Sequence, residues 1–187
     1  MTWLRWLVVV LVSVILLSSP QVSWAGNPTP PALLRSEQLP LQQAQQLAQA
    51  AIAACRQRDA AVSVSVVDPH GAVQVVLHDD HAVPHSTDLS RQKAYTAVSL
   101  AGLQQLHTTS ELVEVLRRNS VAIGDLGLPA APVQGITPLP GGVVIQWNGQ
   151  VLAGLGVSGA RQGQIDEACA LEAEQQVFRN LDHGAPA

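Results

Sequence analysis

The sequence predicts an α+β domain in which helices pack on a mostly antiparallel sheet. Three observations carry that expectation. Residues 62–78 and 136–157 hold β-branched, alternating runs joined by tight-turn residues, the mark of strands in hairpins. The stretches around them repeat apolar residues at i, i+3 and i+4, the mark of helices with one buried face. The two strand clusters are separated by helices, which gives the order α-β-β-α-α-β-β-β-α with five strands.

The elements follow in order. The first helix is expected over 41–58, where Leu41, Ala44, Leu47, Ala48, Ala51, Ile52 and Cys55 share a face and glutamines take the other. Strands at 62–67 and 72–78 flank Asp68-Pro69-His70-Gly71. Its residues suit a type I turn, with Asp at i, Pro at i+1 and Gly at i+3. Residues 79–88 read as a loop, and a second helix covers 89–103. Thr108 with Glu111 three residues later is a capping box that opens a third helix ending near Arg118. Residues 121–132 read as an irregular loop rich in Gly and Pro.

Three strands come next. The first begins at Ile136 and ends at Gly141-Gly142. The second contains Val143, Ile145 and Trp147, and the third is Val151 to Val157. Asn148-Gly149 between the last two is the strongest short hairpin signal, because a type I′ turn needs positive φ at both central residues. Gly154 and Gly156 inside a strand imply a close approach to that backbone by another chain segment, a neighbouring subunit or a ligand. Asp166-Glu167 suits the start of a last helix, with Ala168, Cys169, Ala173, Val177 and Leu181 facing inward.

At the N-terminus, Arg5, an apolar run from Leu7 to Leu17, Pro20 and Ser23-Trp24-Ala25 form a signal-peptide pattern, with cleavage expected after Ala25. The apolar run is short of the roughly 20 residues a bilayer span needs, so export without a stable membrane anchor is expected. Residues 26–38 form a Pro-rich arm and 39–183 the domain. Loss of Arg5 with the leader moves the net charge from −4 to −5. An acidic chain with no basic cluster excludes nucleic acid as a natural partner. Three of the four tryptophans (Trp3, Trp6, Trp24) leave with the leader, so the core must be built from Val, Leu, Ile and Ala. Cys55 and Cys169 fall on helices that could share one sheet face. Export permits a disulfide, and two buried thiols are the alternative.

Several pieces in this order carry a resemblance: Pro140-Gly141-Gly142, Asn148-Gly149, Gly154-x-Gly156-Val157-Ser158-Gly159 and Asp166-Glu167-x2-Ala170, with Val66-Val67-Asp68-x2-Gly71 and Lys93-Ala94-x-Thr96-Ala97 upstream. Together they resemble the GlcG/HbpS-like family of small haem-binding or haem-degrading proteins, which also supplies a domain of some corrinoid adenosyltransferases. The resemblance covers roughly residues 39–181. It implies a profilin-like α/β/α layering, haem as cofactor and a homo-oligomer.

Candidate site residues come from two places. His78, His81 and His85 lie in Leu77-His-Asp-Asp-His-Ala-Val-Pro-His85, with His70 nearby. Imidazole is the commonest ligand for iron and zinc, so the three could hold a metal ion or supply an axial ligand to haem. The alternative is a solvated loop. Family members often carry Arg where His78 stands and Asp-Gly where Asp80-His81 stands, so this loop departs from the family pattern. Lys93 is the chain's only lysine and sits among apolar residues. It suits an anion such as a haem propionate, with Arg91 as a second candidate. The alternative is a structural partner to Asp68 or Asp166. Gly156-Val157-Ser158-Gly159 is either an anion-binding concavity or a tight turn with close packing. No nucleophile elbow or paired-carboxylate spacing occurs. The runner-up function is a non-enzymatic exported module for a small organic ligand or a divalent metal, without haem.

Overall fold

The computed structural model describes residues 37–118 and 134–182. The expected leader, most of the Pro-rich arm and the 121–132 loop lie outside these residues, as does the inward position of Leu181. Among the described residues there are four α-helices and one four-stranded sheet: α1 Leu41–Arg56, β1 Ser63–Val67, β2 Val73–His78, α2 Ser86–Thr96, α3 Thr109–Arg118, β3 Gly142–Trp147, β4 Gln150–Ser158 and α4 Gly163–Asp182. After α2 the chain continues through a π-helical turn, Ala97–Ala101, and a 3-10 turn, Gly102–Gln104. No helix among the described residues is long and apolar enough to cross a membrane.

The sheet order is β2-β1-β4-β3, and every neighbouring pair is antiparallel. Four strands replace the five expected among these residues. The stretch from Ile136 to Pro140 is irregular. Pro138 and Pro140 remove two ladder donors within five residues, which explains why it makes no strand. The turn chemistry holds. Gly71 N–H donates to Asp68 O at 2.9 Å, and Asp68 Oδ1 accepts from His70 and Ala72 N–H. Asn148 (φ 49°) and Gly149 (φ 78°) give the β3–β4 hairpin its type I′ geometry. The capping box closes as expected: Glu111 N–H donates to Thr108 Oγ1 at 3.2 Å, and Glu111 Oε2 accepts from Thr108 N–H at 3.5 Å and from the preceding His107 N–H at 2.7 Å.

Helices cover both faces of the sheet. On one face Val64, Val66, Val143, Ile145, Leu155 and Val157 pack against α1 and α4 in the main core. Cys55 on α1 and Cys169 on α4 are joined by a disulfide with Cα atoms 5.3 Å apart. Leu41, expected to face inward, is exposed at the first position of α1, and Leu39 just before it is buried instead.

On the other face lies α2, and the reason for the glycines in β4 becomes plain. A Cβ on Gly156 would sit 2.0 Å from Ser90 O, and one on Gly154 would sit 2.3 Å from Ala94 O. Their approach partner is therefore a segment of the same chain. Ser63 and Ser65 continue this small-residue face onto β1 and meet α2 by hydrogen bonds: Ser63 Oγ to Ser86 Oγ and Ser65 Oγ to Ser90 Oγ, each at 2.7 Å.

Candidate functional site

Strand register decides which residues share the α2 side of β2. In β1, Val64 and Val66 face the main core, so Ser63, Ser65 and Val67 face the other way. Their cross-strand partners are His78, Val76 and Val73. β2 is an edge strand lying beyond α2, so these three side chains are exposed rather than covered.

From the helix side, Thr87, Arg91 and Tyr95 recur every four residues and form one stripe. Contacts fix this stripe beside β2. Thr87 Oγ1 lies 3.1 Å from His78 Nδ1. The Tyr95 ring is seated between Gly71 and Gly135: a Cβ on Gly71 would come within 2.4 Å of the ring, and one on Gly135 within 3.2 Å. The result is a strip with an imidazole at one end, valines and a tyrosine along it, and the exposed Arg91 guanidinium on its helical side.

His78 is the most constrained histidine of the loop region. Its Nδ1 is 2.7 Å from the buried Ser63 Oγ, and its Nε2 has no protein partner among the described residues. Held by one nitrogen with the other open, the ring is placed as ligand imidazoles are. His81 and His85 stand elsewhere. His81 (φ 65°) lines an open depression at the end of α1, with Arg58, Arg161, Gly159 and Ala160. His85 precedes α2, and its side chain makes no cap bond. The convergence of His78, His81 and His85 on one ion is therefore not found. Among the described residues no group of three or more His, Cys, Asp or Glu side chains is placed to hold a metal. The turn at Asp79 separates them. Asp79 is buried and takes both Nε and Nη2 of Arg56, which holds its carboxyl below the usual range, and this anchors the loop between His78 and His81.

Lys93 is buried on α2 and faces away from the strip. Its Nζ donates to Asp166 Oδ2 at 2.7 Å and to Val157 O at 2.9 Å. The structural alternative for this lysine is the arrangement present, and its ammonium meets its anion inside the fold. Burial pushes the Asp166 carboxyl up from the ordinary range, and the Lys93 ammonium with the N–H groups of Ala160 and Gly159 pulls back part of that rise. Next to it, Glu167 Oε2 accepts from Gly141 and Ser110 N–H at 3.2 and 3.1 Å. The Gly156–Gly159 stretch serves close packing. A Cβ on Gly159 (φ 140°) would lie 2.5 Å from Ala61 O.

Sequence reasoning missed Ser63, Val76, Thr87 and Tyr95 as parts of the strip. One signal was present: Ser63 and Ser65 alternate with Val64 and Val66, which marks two hydroxyls on one face of a central strand.

Comparison with known proteins bears on this geometry. Residues 39–175 match the family model described as haem degrading protein HbpS-like. A crystal structure of a double mutant of Streptomyces reticuli HbpS is similar at a TM-score of 0.67 and 33% identity, covering 81% of this chain and 94% of that one. The Klebsiella pneumoniae protein ORFY is similar at 0.66 and 28% identity, covering 79% and 95%. A structure of a PduOC–haem complex is similar at 0.61 and 28% identity, covering 73% and 93%. The corrinoid adenosyltransferase PduO of Salmonella typhimurium is 31% identical over 115 residues, which are 61% of this chain and 32% of that protein. The chain thus spans about a third of that curated relative. With a family model matched over most of its length and its fold shared with these structures, the chain belongs to the HbpS-like family.

Proposed function

We propose that this is an exported haem-binding protein of the HbpS type, and that haem seats on the strip between β2 and α2. The observation that carries this reading is the anchored His78 imidazole on an exposed face shared with Val73, Val76 and Tyr95. An axial imidazole, an apolar wall and a cation for a propionate are what a haem surface requires. His78 would supply the imidazole ligand, Arg91 would meet a propionate, and the valines with Tyr95 would cover part of the macrocycle. Haem, when bound, supplies a redox-active iron. The chain supplies its orientation and its polar surroundings.

Three further parts of the proposal have separate support. Export is supported by the Cys55–Cys169 disulfide, which persists in oxidising compartments. A homo-oligomer is supported by the exposure of Leu103 and Trp147, large apolar residues that a second copy would cover. A profilin-like layering, with helices on both faces of the sheet, is what the family resemblance implies. Degradation or redox sensing would draw electrons or peroxide from a partner.

The test is a haemin titration of the chain lacking residues 1–25, followed in the Soret band. A saturable stoichiometric change is expected. His78→Ala should weaken it by about 10-fold or more, whereas His81→Ala and His85→Ala should leave it unchanged. A non-saturating response in the wild type would overturn haem binding. A second reading, a small organic anion without haem, is favoured by the depression where Arg58, Arg161 and His81 meet. Competition by simple carboxylates with no Soret signal would point to it.

A further inference from the structure

The buried serines beneath His78 determine which of its nitrogens holds the proton. Ser86 Oγ lies 2.6 Å from Val83 O. A carbonyl only accepts, so the Ser86 hydroxyl proton is committed there. Ser86 Oγ also lies 2.7 Å from Ser63 Oγ. With its own proton directed to Val83, it must accept at that contact, and Ser63 donates. The Ser63 Oγ then faces His78 Nδ1 at 2.7 Å with lone pairs only. Two lone pairs at that separation would repel, so Nδ1 carries the proton. Thr87 Oγ1 lies 3.1 Å from both Ser63 Oγ and His78 Nδ1; with Nδ1 protonated, its hydroxyl donates to Ser63 and fills the remaining acceptor site. The count closes: Ser63 donates one hydrogen bond and accepts two, which is the full capacity of a hydroxyl.

We infer that this one-way chain from His78 through Ser63 and Ser86 to the Val83 carbonyl holds the neutral imidazole in its Nδ1–H tautomer, making exposed Nε2 a standing electron-pair donor for a metal centre on the strip. Ser63 and Ser86, both fully buried, are positioning residues that act through His78. The neighbouring rung shows what is specific here. Ser90 Oγ donates to Thr87 O at 2.9 Å, so Ser65 donates to Ser90 in the same sense. That rung lies beneath Val76 rather than an imidazole. That the metal centre is haem iron rests on the function proposed above. The tautomer does not.

The experiment is long-range 1H–15N NMR of the histidines in the full chain at about pH 8.5, well above the ordinary imidazole pKa of about 6.5. His78 is expected to show a protonated Nδ1 and a bare Nε2. A wild-type spectrum with Nε2 protonated overturns the inference, and this arm needs no variant to fold. Ser86→Ala frees the Ser63 proton to turn toward Nδ1. It should shift His78 toward the Nε2–H form and weaken haemin binding about 10-fold. Ser65→Ala, in the neighbouring rung beneath Val76, should not change the tautomer. An unchanged tautomer in folded Ser86→Ala overturns the inference. A tautomer that behaves as stated, with haemin affinity unmoved in both Ser86→Ala and His78→Ala, supports the chain and overturns haem ligation at His78.

Discussion

Lys93 and Asp166 form an ion pair at 2.7 Å with each side chain only 3% exposed, and the pair ties α2 to the first turn of α4 across the end of β4. Gly141 closes over it: a Cβ there would sit 2.9 Å from Lys93 Nζ and 2.7 Å from Val157 O. Removing one partner strands a buried charge. Lys93→Ala or Asp166→Ala should each cost about 3–5 kcal/mol in urea unfolding. The double variant Lys93→Ala with Asp166→Ala should cost clearly less than the sum of the singles, because neither charge is then left alone. Strict additivity would show that the pair is not coupled.

The disulfide closes a loop of sequence separation 114 between α1 and α4. Replacing Cys55 and Cys169 by alanine together should lower stability by about 2–4 kcal/mol. Chemical denaturation of the oxidised, reduced and alanine forms measures this. Equal midpoints for all three would rule out a stabilising role.

Gly156 carries the closest backbone approach in the sheet, under Ser90 O of α2. Gly156→Ala must push the helix away and should cost about 2–3 kcal/mol. It should also loosen the Ser63–Ser86 and Ser65–Ser90 contacts, with a visible rise in amide exchange along α2. Wild-type exchange in this variant would show that the helix has room to spare.

His107 Nε2 bonds Glu174 Oε2 at 2.9 Å, and that bond raises the His107 pKa above 6.5, with burial opposing it. The folded state therefore holds the proton more tightly than the unfolded one. The stabilisation is complete below about pH 6.5 and is lost as pH rises through the folded value. Because His107 is 44% exposed, the effect should be only about 0.5 kcal/mol. The Tm gap between wild type and Glu174→Gln should shrink as pH rises from about 6 to about 8.5. A gap that widens over that range would reverse the assignment.

Much of the architecture was legible in the chain. Alternation placed β1 to β4, helical spacing placed α1 and α4, and Asn148-Gly149 and Thr108-x2-Glu111 set a turn and a cap. Each of these signals acts between residues near in sequence, so a single chain displays it. The misplaced strand at Ile136 had the same local basis, and two prolines outweighed it.

The candidate site is another matter. His78, His81 and His85 look equivalent in sequence, and Lys93 and Arg91 look like alternatives for one anion. Only the tertiary structure separates them. β1–β2 register puts His78 over Ser63. The ion pair of buried Asp79 with the exposed Arg56 turns the loop so that His81 leaves the strip. The helix phase of α2 sends Lys93 inward to Asp166 and Arg91 outward. Periodicity determines which side of its own element a residue occupies. What lies opposite that side is set by contacts between residues far apart in the chain, such as Lys93 with Asp166 and Ser63 with Ser86, and those exist only once the sheet and helices have packed.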